Sequence, residues 1–339
     1  MFDTVLVADR GTTALRVVRT CQRLGVQAIA VHGQDDARAR HVREADEAVP
    51  LGGRTTHETY GDARKLVEAA RRSGAQALHP GAGPLALDAG LARAVEEAGL
   101  VWLGPAPSAL ESRPAGAGGH GLTVVLRAVG DDAEVLGCRR RLGTAVEEQL
   151  RPEQVPGEVL AAARRAWPAA GTGGLVAVET VGDAPGTLVP GPLVTPASAA
   201  TEVALGVDLV ELELRLAAGE PVGPLPAGRG CVLSLQVRAP VFYAGRLRRF
   251  RLPAGGAVRA DSDLGERGRL SAHSDRLLAV LTVRGADRPE LLEAARSALD
   301  EVDIRGVPTN LDLLRAVLAD PSFVAGKPDD ALLERIPRS

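Results

Sequence analysis

The order of elements in residues 1–104 constrains this chain more than any other feature. TVLVAD (4–9) reads as a short buried strand, and RGTTALRVVRTCQRLG (10–25) as an amphipathic helix stopped by Gly25. QAIAVHG (27–33) is a second strand, followed by acids and the segment HVREADEAVPLG. A helix near 59–74, the strand QALHPG (76–81), a helix near 87–98 and the strand VWLG (101–104) complete the unit. Strands alternating with helices argue for a doubly wound, mostly parallel sheet. Gly11 follows the first strand, but a single glycine without GxGxxG is a turn, not a nucleotide fingerprint.

The glycine-rich stretch ESRPAGAGGHG (111–121) interrupts this pattern. It is either a phosphate cradle or a spacer. It follows no strand and contains no lysine, which favours the spacer. Beyond it, TVVLRAVG (123–130) reads as a strand, EVLAAARRAWPAAG (158–171) as a helix and LVAVETV (175–181) as a strand. A Pro/Gly-rich segment leads to the helix DLVELELRLAAGE (208–220), which has an apolar face and paired charges. From Arg229 onward, the β-like runs CVLSLQVRAPVFY, RLRRFRL and RLLAVLTV alternate with helices at 288–300 and 309–319. Boundaries near 112 and 225 divide the chain into 1–112, 113–224 and 225–339, with no internal repeat.

Composition excludes several classes of function. A net charge of -3 without a basic patch argues against nucleic acid, and 2% aromatics leave few stacking platforms. The longest apolar runs, such as LLAVLTV, are too short to cross a bilayer. Asp3 and the lack of a charged region before a long apolar stretch argue against a signal peptide. Cys21, Cys138 and Cys231 are odd in number and far apart, which fits a reducing cytoplasm. No CxxC or HxxxH spacing offers a metal site. Ser271, His273 and Asp275 do not have the spacing of a hydrolase triad. His79 reads as a packed turn histidine, His120 as exposed and Cys21 as core. Only Lys65 and Lys327 are lysines, so any chemistry that requires a lysine has two candidates.

Four segments together resemble the N-terminal domain of biotin carboxylases: VLVADRGTTALRVVRTCQRLG, HVREADEAVPLG, GAQALHPGAG and LARAVEEAGLVWLGPAPSALE. Biotin carboxylases are ATP-grasp enzymes that carboxylate biotin on a carrier protein. ATEVALGVDLVELELRLAAGEPV resembles the helix after the family's catalytic loop, and RGVPTNLDLLRAVLADPSFVAG its C-terminal domain. The resemblance implies an α/β protein with three parts. They are a pre-ATP-grasp, Rossmann-like domain over 1–112, an ATP-grasp remnant over 113–224, and a mixed α+β C-terminal domain over 225–339.

It also shows what has changed. ATP-dependent carboxylation needs lysines and amides for the triphosphate, carboxylates for Mg²⁺, a lid that excludes water, and cations for bicarbonate and the biotin enolate. Glu111 is followed too soon by TVVLRAVGDDAEVLG to leave room for the family's ATP lid. Val189 and Gly191 stand where the metal glutamate and its asparagine belong, and Leu193 replaces the bicarbonate arginine. Thr195, Pro196 and Ala197 replace the run that holds the base, and Ala177 the first metal carboxylate, with Glu179 on the same strand face. Gln236 takes the enolate arginine's place beside Arg238, and Thr144 that of a lysine before the surviving Glu147 and Glu148. Glu202 belongs to the retained threonine–glutamate pair. Losing one preorganised group of this kind costs roughly 2.7–4 kcal/mol of transition-state stabilisation.

The resemblance therefore implies a chain with no catalytic residues and no bound cofactor, serving as a scaffold or regulatory subunit of an acyl-CoA carboxylase-type complex. ATP, Mg²⁺ and biotin enter only on the alternative, a minimal or rearranged ATP-dependent biotin carboxylase. In the family the first helix helps form a dimer. Here Arg16, Arg19 and Arg23 share one face of that helix, and Arg23 stands where the family has an acid. With Phe250 from the C-terminal domain, they form either an interface for a carboxylase partner or a solvated basic face.

Overall fold

The computed structural model describes residues 1–113, 121–129, 132–143, 145–170, 174–181, 184–241, 243–266, 268–271, 276–328 and 332–336. Most of the glycine-rich stretch, including His120, lies outside the described residues, as do Thr144 and His273.

The first unit forms as its sequence pattern requires. Strands β1 (Thr4–Val7), β2 (Gln27–His32), β3 (Glu47–Pro50), β4 (Ala77–His79) and β5 (Val101–Trp102) pair in parallel in the order β3-β2-β1-β4-β5. Between and after them run α1 (Gly11–Arg23), α2 (Arg40–Glu44), α3 (Ala63–Arg72), α4 (Ala89–Glu97) and α5 (Pro107–Glu111). Alternation along β1 sends Leu6 towards α3 and α4, where it packs with Leu66, Leu91 and Val95. Val5 and Val7 face the other way, with Val17, Val18 and Cys21 of α1. Burying a side chain such as Leu6 contributes about 1.5–3 kcal/mol. Helix α3 starts later than its periodicity suggests. Asp62 caps it, accepting from the Lys65 amide at 3.1 Å, and the preceding Thr59 and Tyr60 are buried in a turn.

The rest is built on β6 (Gly121–Val129), β7 (Asp132–Leu142), β8 (Val146–Leu150), α6 (Gly157–Ala170), β9 (Leu175–Val181), β10 (Ala184–Gly191), α7 (Ala199–Leu205), α8 (Leu209–Ala217) and β11 (Cys231–Arg238). There follow β12 (Gly245–Arg246), β13 (Arg249–Arg251), β14 (Val258–Asp261), β15 (Arg269–Leu270), β16 (Leu277–Gly285), α9 (Arg288–Glu301), β17 (Asp303–Arg305), α10 (Leu311–Ala319), α11 (Pro321–Val324) and α12 (Leu332–Arg335). Eight of these strands make one antiparallel sheet, ordered β10-β9-β6-β7-β8-β11-β16-β14. Because β8 pairs with β11, the sheet runs without a break from the middle of the chain into the residues beyond 225.

Three of its strands carry no strand-like pattern. In β7 a run of three arginines hides the alternation, and in β8 two glutamates occupy buried positions. Strand β10 contains Pro185 and Pro190, which an edge strand tolerates because its outer side needs no ladder donor. Helix α6 covers one face of the sheet with Val159 and Ala163, against Val124, Leu126, Cys138, Val176 and Val178. On the other face, α8 packs Leu209 and Leu212 into a core shared with Val125 and Ala177 and with α1, so the two sheets enclose α1 and α8 together. Beyond β11, Leu233, Leu235 and Leu281 pack with Leu291, Leu299 and Leu314 of α9 and α10.

Candidate functional site

A polar row crosses the face of the large sheet that α7 covers. Directly opposed residues of neighbouring strands share a face. Glu179 lies opposite Thr123, Thr123 opposite Arg139, Arg141 opposite Glu147, and Glu147 opposite Ser234. The row continues through Thr282 to Arg259. This row is where the resemblance places the catalytic cleft.

Its centre is a closed ion-pair network. Arg139 is 1% exposed; its Nε lies 3.3 Å from Glu147, and it donates to the Thr201 hydroxyl at 3.0 Å. Thr201 in turn donates to Gln149 at 2.9 Å, which ties α7 to the sheet. Arg141 lies between two carboxylates, donating to Glu147 at 2.9 Å and reaching Glu179 at 3.5 Å. Arg113, after α5, approaches Glu179 at 4.0 Å and donates to the Pro190 carbonyl. Burial lowers the pKa of Arg139 and Arg113, with Glu147 and Glu179 opposing the shift. At Arg141 burial again works against the charge, but Glu147 and Glu179 outweigh it and the net shift is upward. Arginine side chains keep their charge in proteins, so all three guanidinium groups pair as cations.

Glu147 and Glu148 are adjacent in sequence but face opposite sides of the sheet, as the strand's period of two requires. Glu148 meets Arg288 and lies 3.9 Å from Arg140, and Arg288 also stacks over Phe323 with its guanidinium carbon 5.0 Å from the ring centre. Glu202 is buried on α7. It accepts from Arg16 at 2.6 Å, from Arg259 at 2.8 Å and from the Leu209 amide at 2.9 Å. Gln236 is buried, and the Arg238 guanidinium donates to its side-chain oxygen at 2.5 Å while Asn310 accepts from the Arg238 amide at 2.8 Å.

The positions that would hold a divalent cation do not fit one. Val189 lies opposite Glu179 and Gly191 opposite Ala177, so these four residues share a face. Val189, Ala177 and Leu193 are buried and apolar. Glu179 fills the space above Gly191: a Cβ there would lie 2.8 Å from the Glu179 carboxyl carbon, leaving no room for an asparagine unless Glu179 moves. Thr195 caps the short turn before α7, accepting from the Ser198 amide at 3.2 Å, and Ala197 is buried. Mg²⁺ needs oxygen ligands, and the carboxylates of Glu147 and Glu179 already face arginines. Among the described residues no group of three or more His, Cys, Asp and Glu side chains is placed to hold a metal.

Burial of Arg16 corrects its place on an exposed basic face; Arg19 and Arg23 stay about half-exposed, at 48% and 52%, and each pairs with acids of this chain. Arg16 is 9% exposed and inside the protein, bound to Glu202, the Thr195 carbonyl and Ser198. Arg19 makes a two-pronged pair with Glu44 at 2.8 and 3.1 Å. Arg23 binds Asp208 and Glu211, each at 2.8 Å. Phe250 is likewise buried in the C-terminal core, so it offers no contact surface. A cleft of about 330 Å³ remains beside these residues, bordered by Arg23, Asp208, Arg259 and Asp261. Lys65 donates to the Gly52 and Glu58 carbonyls at 3.1 and 2.5 Å, closing a loop far from any phosphate role. His79 is a packed turn residue: its Nδ1 accepts from the Gly81 amide at 2.9 Å and its Nε2 lies 3.0 Å from Glu213.

Arg139, Arg141, Arg113 and Arg259 were missed by sequence reasoning. The runs CRRRLG and AVRAD carry no sign of which strand faces them, and only the pairing register brings them to the acids.

Comparison with known proteins agrees with this architecture. Residues 1–110 match the family model for the biotin carboxylase N-terminal domain, and residues 240–335 that for the biotin carboxylase C-terminal domain. The biotin-dependent acyl-coenzyme A carboxylase alpha3 subunit of Mycobacterium leprae is 28% identical over 436 residues, covering 94% of this chain and 71% of that subunit. A biotin carboxylase of Halalkalibacterium halodurans is 25% identical over 98% of this chain and 97% of its own. Both alignments are longer than the 339 residues of this chain, so both relatives carry stretches with no counterpart here. A solved biotin carboxylase domain of a single-chain bacterial carboxylase superposes with a TM-score of 0.84 at 28% identity, over 98% of this chain and 96% of that one.

Proposed function

The chain is a biotin-carboxylase-like protein related to acyl-CoA carboxylase subunits, and we propose that it does not itself carboxylate biotin but serves as a scaffold or regulatory subunit of an acyl-CoA carboxylase-type complex. The observation that carries this reading is the ion-pair network on the sheet. Glu179, on the same face as the expected metal positions, and Glu147, farther along the polar row, are both engaged by Arg141, and Glu147 also by Arg139. These pairs compete with any cation or proton for both acids, and buried Val189, Ala177 and Leu193 supply no further ligand, which supports the non-catalytic reading. A protein that keeps the shape of an enzyme without its charged groups still offers the enzyme's outer surfaces to other subunits.

Titration calorimetry with MgATP tests the catalytic half of the proposal. No saturable heat is expected up to millimolar nucleotide; micromolar, Mg²⁺-dependent binding would overturn it in favour of a rearranged ATP-dependent carboxylase. Affinity purification from the native host tests the other half. An acyl-CoA carboxylase subunit should co-elute in fixed proportion, and a chain that consistently elutes alone would count against a subunit role.

A further inference from the structure

The structure assigns the outer face of β12, β13, β15 and β17 as a docking surface for a carboxylate-rich segment of a partner protein. The assignment rests on the subunit reading above and names where such a partner engages. Arg246, Arg248, Arg249, Arg251, Arg269 and Arg305 are all exposed there. Between them Leu247 and Phe250 turn inward to the C-terminal core, which leaves the arginines outside. The two ladders adjoin: the Arg248 amide donates to the Arg305 carbonyl at 2.8 Å, and Gly306 lies against the backbone of Arg246 and Arg248. Only strand pairing gathers these arginines, which corrects the expectation of a chain without a basic patch.

Like charges directly opposite across a strand pair are destabilising, and this surface has two such pairs. Arg249 lies opposite Arg305, and Arg246 opposite Arg269. The first pair shares one carboxylate: Asp303 lies 2.5 Å from Arg249 Nε and accepts from Arg305 Nε at 2.8 Å. The second pair has none. Among the described residues, Arg246, Arg248, Arg251 and Arg269 form no ion pair with an acid. Asp303 thus shows the mode in which the open pair takes a partner's carboxylate, between guanidinium groups from facing strands. A short acidic segment responds mainly to charges within a Debye length of about 8 Å, so here the arginines outweigh the chain's net charge of -3. A nucleic acid is a longer polyanion and meets that net charge as well.

Fluorescent octaglutamate is the probe, with anisotropy on the full chain as readout. The unmodified protein should bind it with an affinity that falls as salt rises. Arg246→Glu should weaken binding roughly tenfold yet leave Tm equal or higher, because it turns a repelling cross-strand pair into an attracting one. Arg269→Glu should behave alike, while Arg72→Glu, at an exposed arginine of α3, should leave the affinity unchanged. Octaglutamate binding that is absent, that survives Arg246→Glu, or that falls equally with Arg72→Glu would overturn the assignment. So would tighter binding of a single-stranded DNA of equal charge, or a homodimer that Arg246→Glu dissociates, since the occupant would then be a nucleic acid or a second copy. Affinity purification separates this surface from the subunit reading. A carboxylase subunit that co-elutes with the unmodified chain should be lost with Arg246→Glu. One retained by both would overturn the surface and spare the subunit role, and one absent from both would count against that role, leaving octaglutamate to decide the surface.

Discussion

Arg139 is the most exacting residue in the molecule. A guanidinium with 1% exposure is tolerable only because Glu147 and Thr201 meet it. A buried ion pair of this kind contributes little net stability compared with a well-packed apolar pair, but removing one partner strands the other. Arg139→Met is expected to destabilise the fold by about 3–5 kcal/mol, read as a lower urea midpoint, with part of the loss avoided because Arg141 still faces Glu147. Gly191 tests the same site by size. Gly191→Asn restores the residue type that the family resemblance places there, but its Cβ would press on the Glu179 carboxyl group. A loss of about 1–3 kcal/mol is expected, with no gain of Mg²⁺-dependent stability. A stabilised Gly191→Asn protein would show that Glu179 is free to move aside. Neither effect is visible in the sequence, where Gly191 is one glycine among many and Arg139 the first of three arginines.

At the scale of elements, α8 is legible in the sequence and its anchoring is not. Asp208 precedes it as a capping acid, accepting from the Val210 and Glu211 amides at 2.9 and 3.2 Å. The same carboxylate takes the Thr20 hydroxyl at 2.6 Å and Arg23 at 2.8 Å, which docks α8 on α1. Burial pushes the Asp208 pKa up, but hydrogen bonds from Thr20, the Glu211 amide and Arg23 outweigh it, and the net shift is downward. Glu44 and Glu211 behave alike: burial raises, and the arginine pairs lower by more. A carboxyl whose folded pKa lies below its unfolded value stabilises the fold above the unfolded value, about 3.9–4.3. That contribution is lost as pH falls through the folded value. Stability from this seam should therefore be level near neutral pH and fall below about pH 4. Asp208→Ala should lower stability near neutrality by about 1–2 kcal/mol from the cap alone and flatten the acid limb of the curve. An unchanged acid limb would mean that the α1–α8 seam does not supply it.

Across the whole molecule, Glu202 joins three distant stretches of chain: Arg16 from α1, the start of α8 through the Leu209 amide, and Arg259 from β14. His41 and Asp263 add a second tie, with the Asp263 carboxylate accepting from the His41 amide at 2.8 Å. Glu202→Gln should raise amide exchange together in α1, the start of α8 and β14, because each loses the same partner. Exchange raised in α7 alone would show that the three segments are held independently.

The sequence by itself determined the parallel unit, the helices of the C-terminal part and the kinship. Each is written in local periodicity, in glycine and cap positions, and in short segments that keep their order along the chain. It also determined which charged groups are absent, since a missing lysine or carboxylate is missing in any fold. Only the tertiary structure decided where the remaining charges went. Strands β7 and β8 are made regular by Arg141 opposite Glu147 and Arg140 opposite Glu148, a cross-strand register with no local signature. Of the α1 arginines, Arg16 is buried while Arg19 and Arg23 stay half-exposed, and all three lie against acids 25 to 188 residues away. Whether a charged side chain is free, paired or buried depends on what long-range packing brings beside it, because Coulomb energy depends on distance and solvation and not on sequence separation.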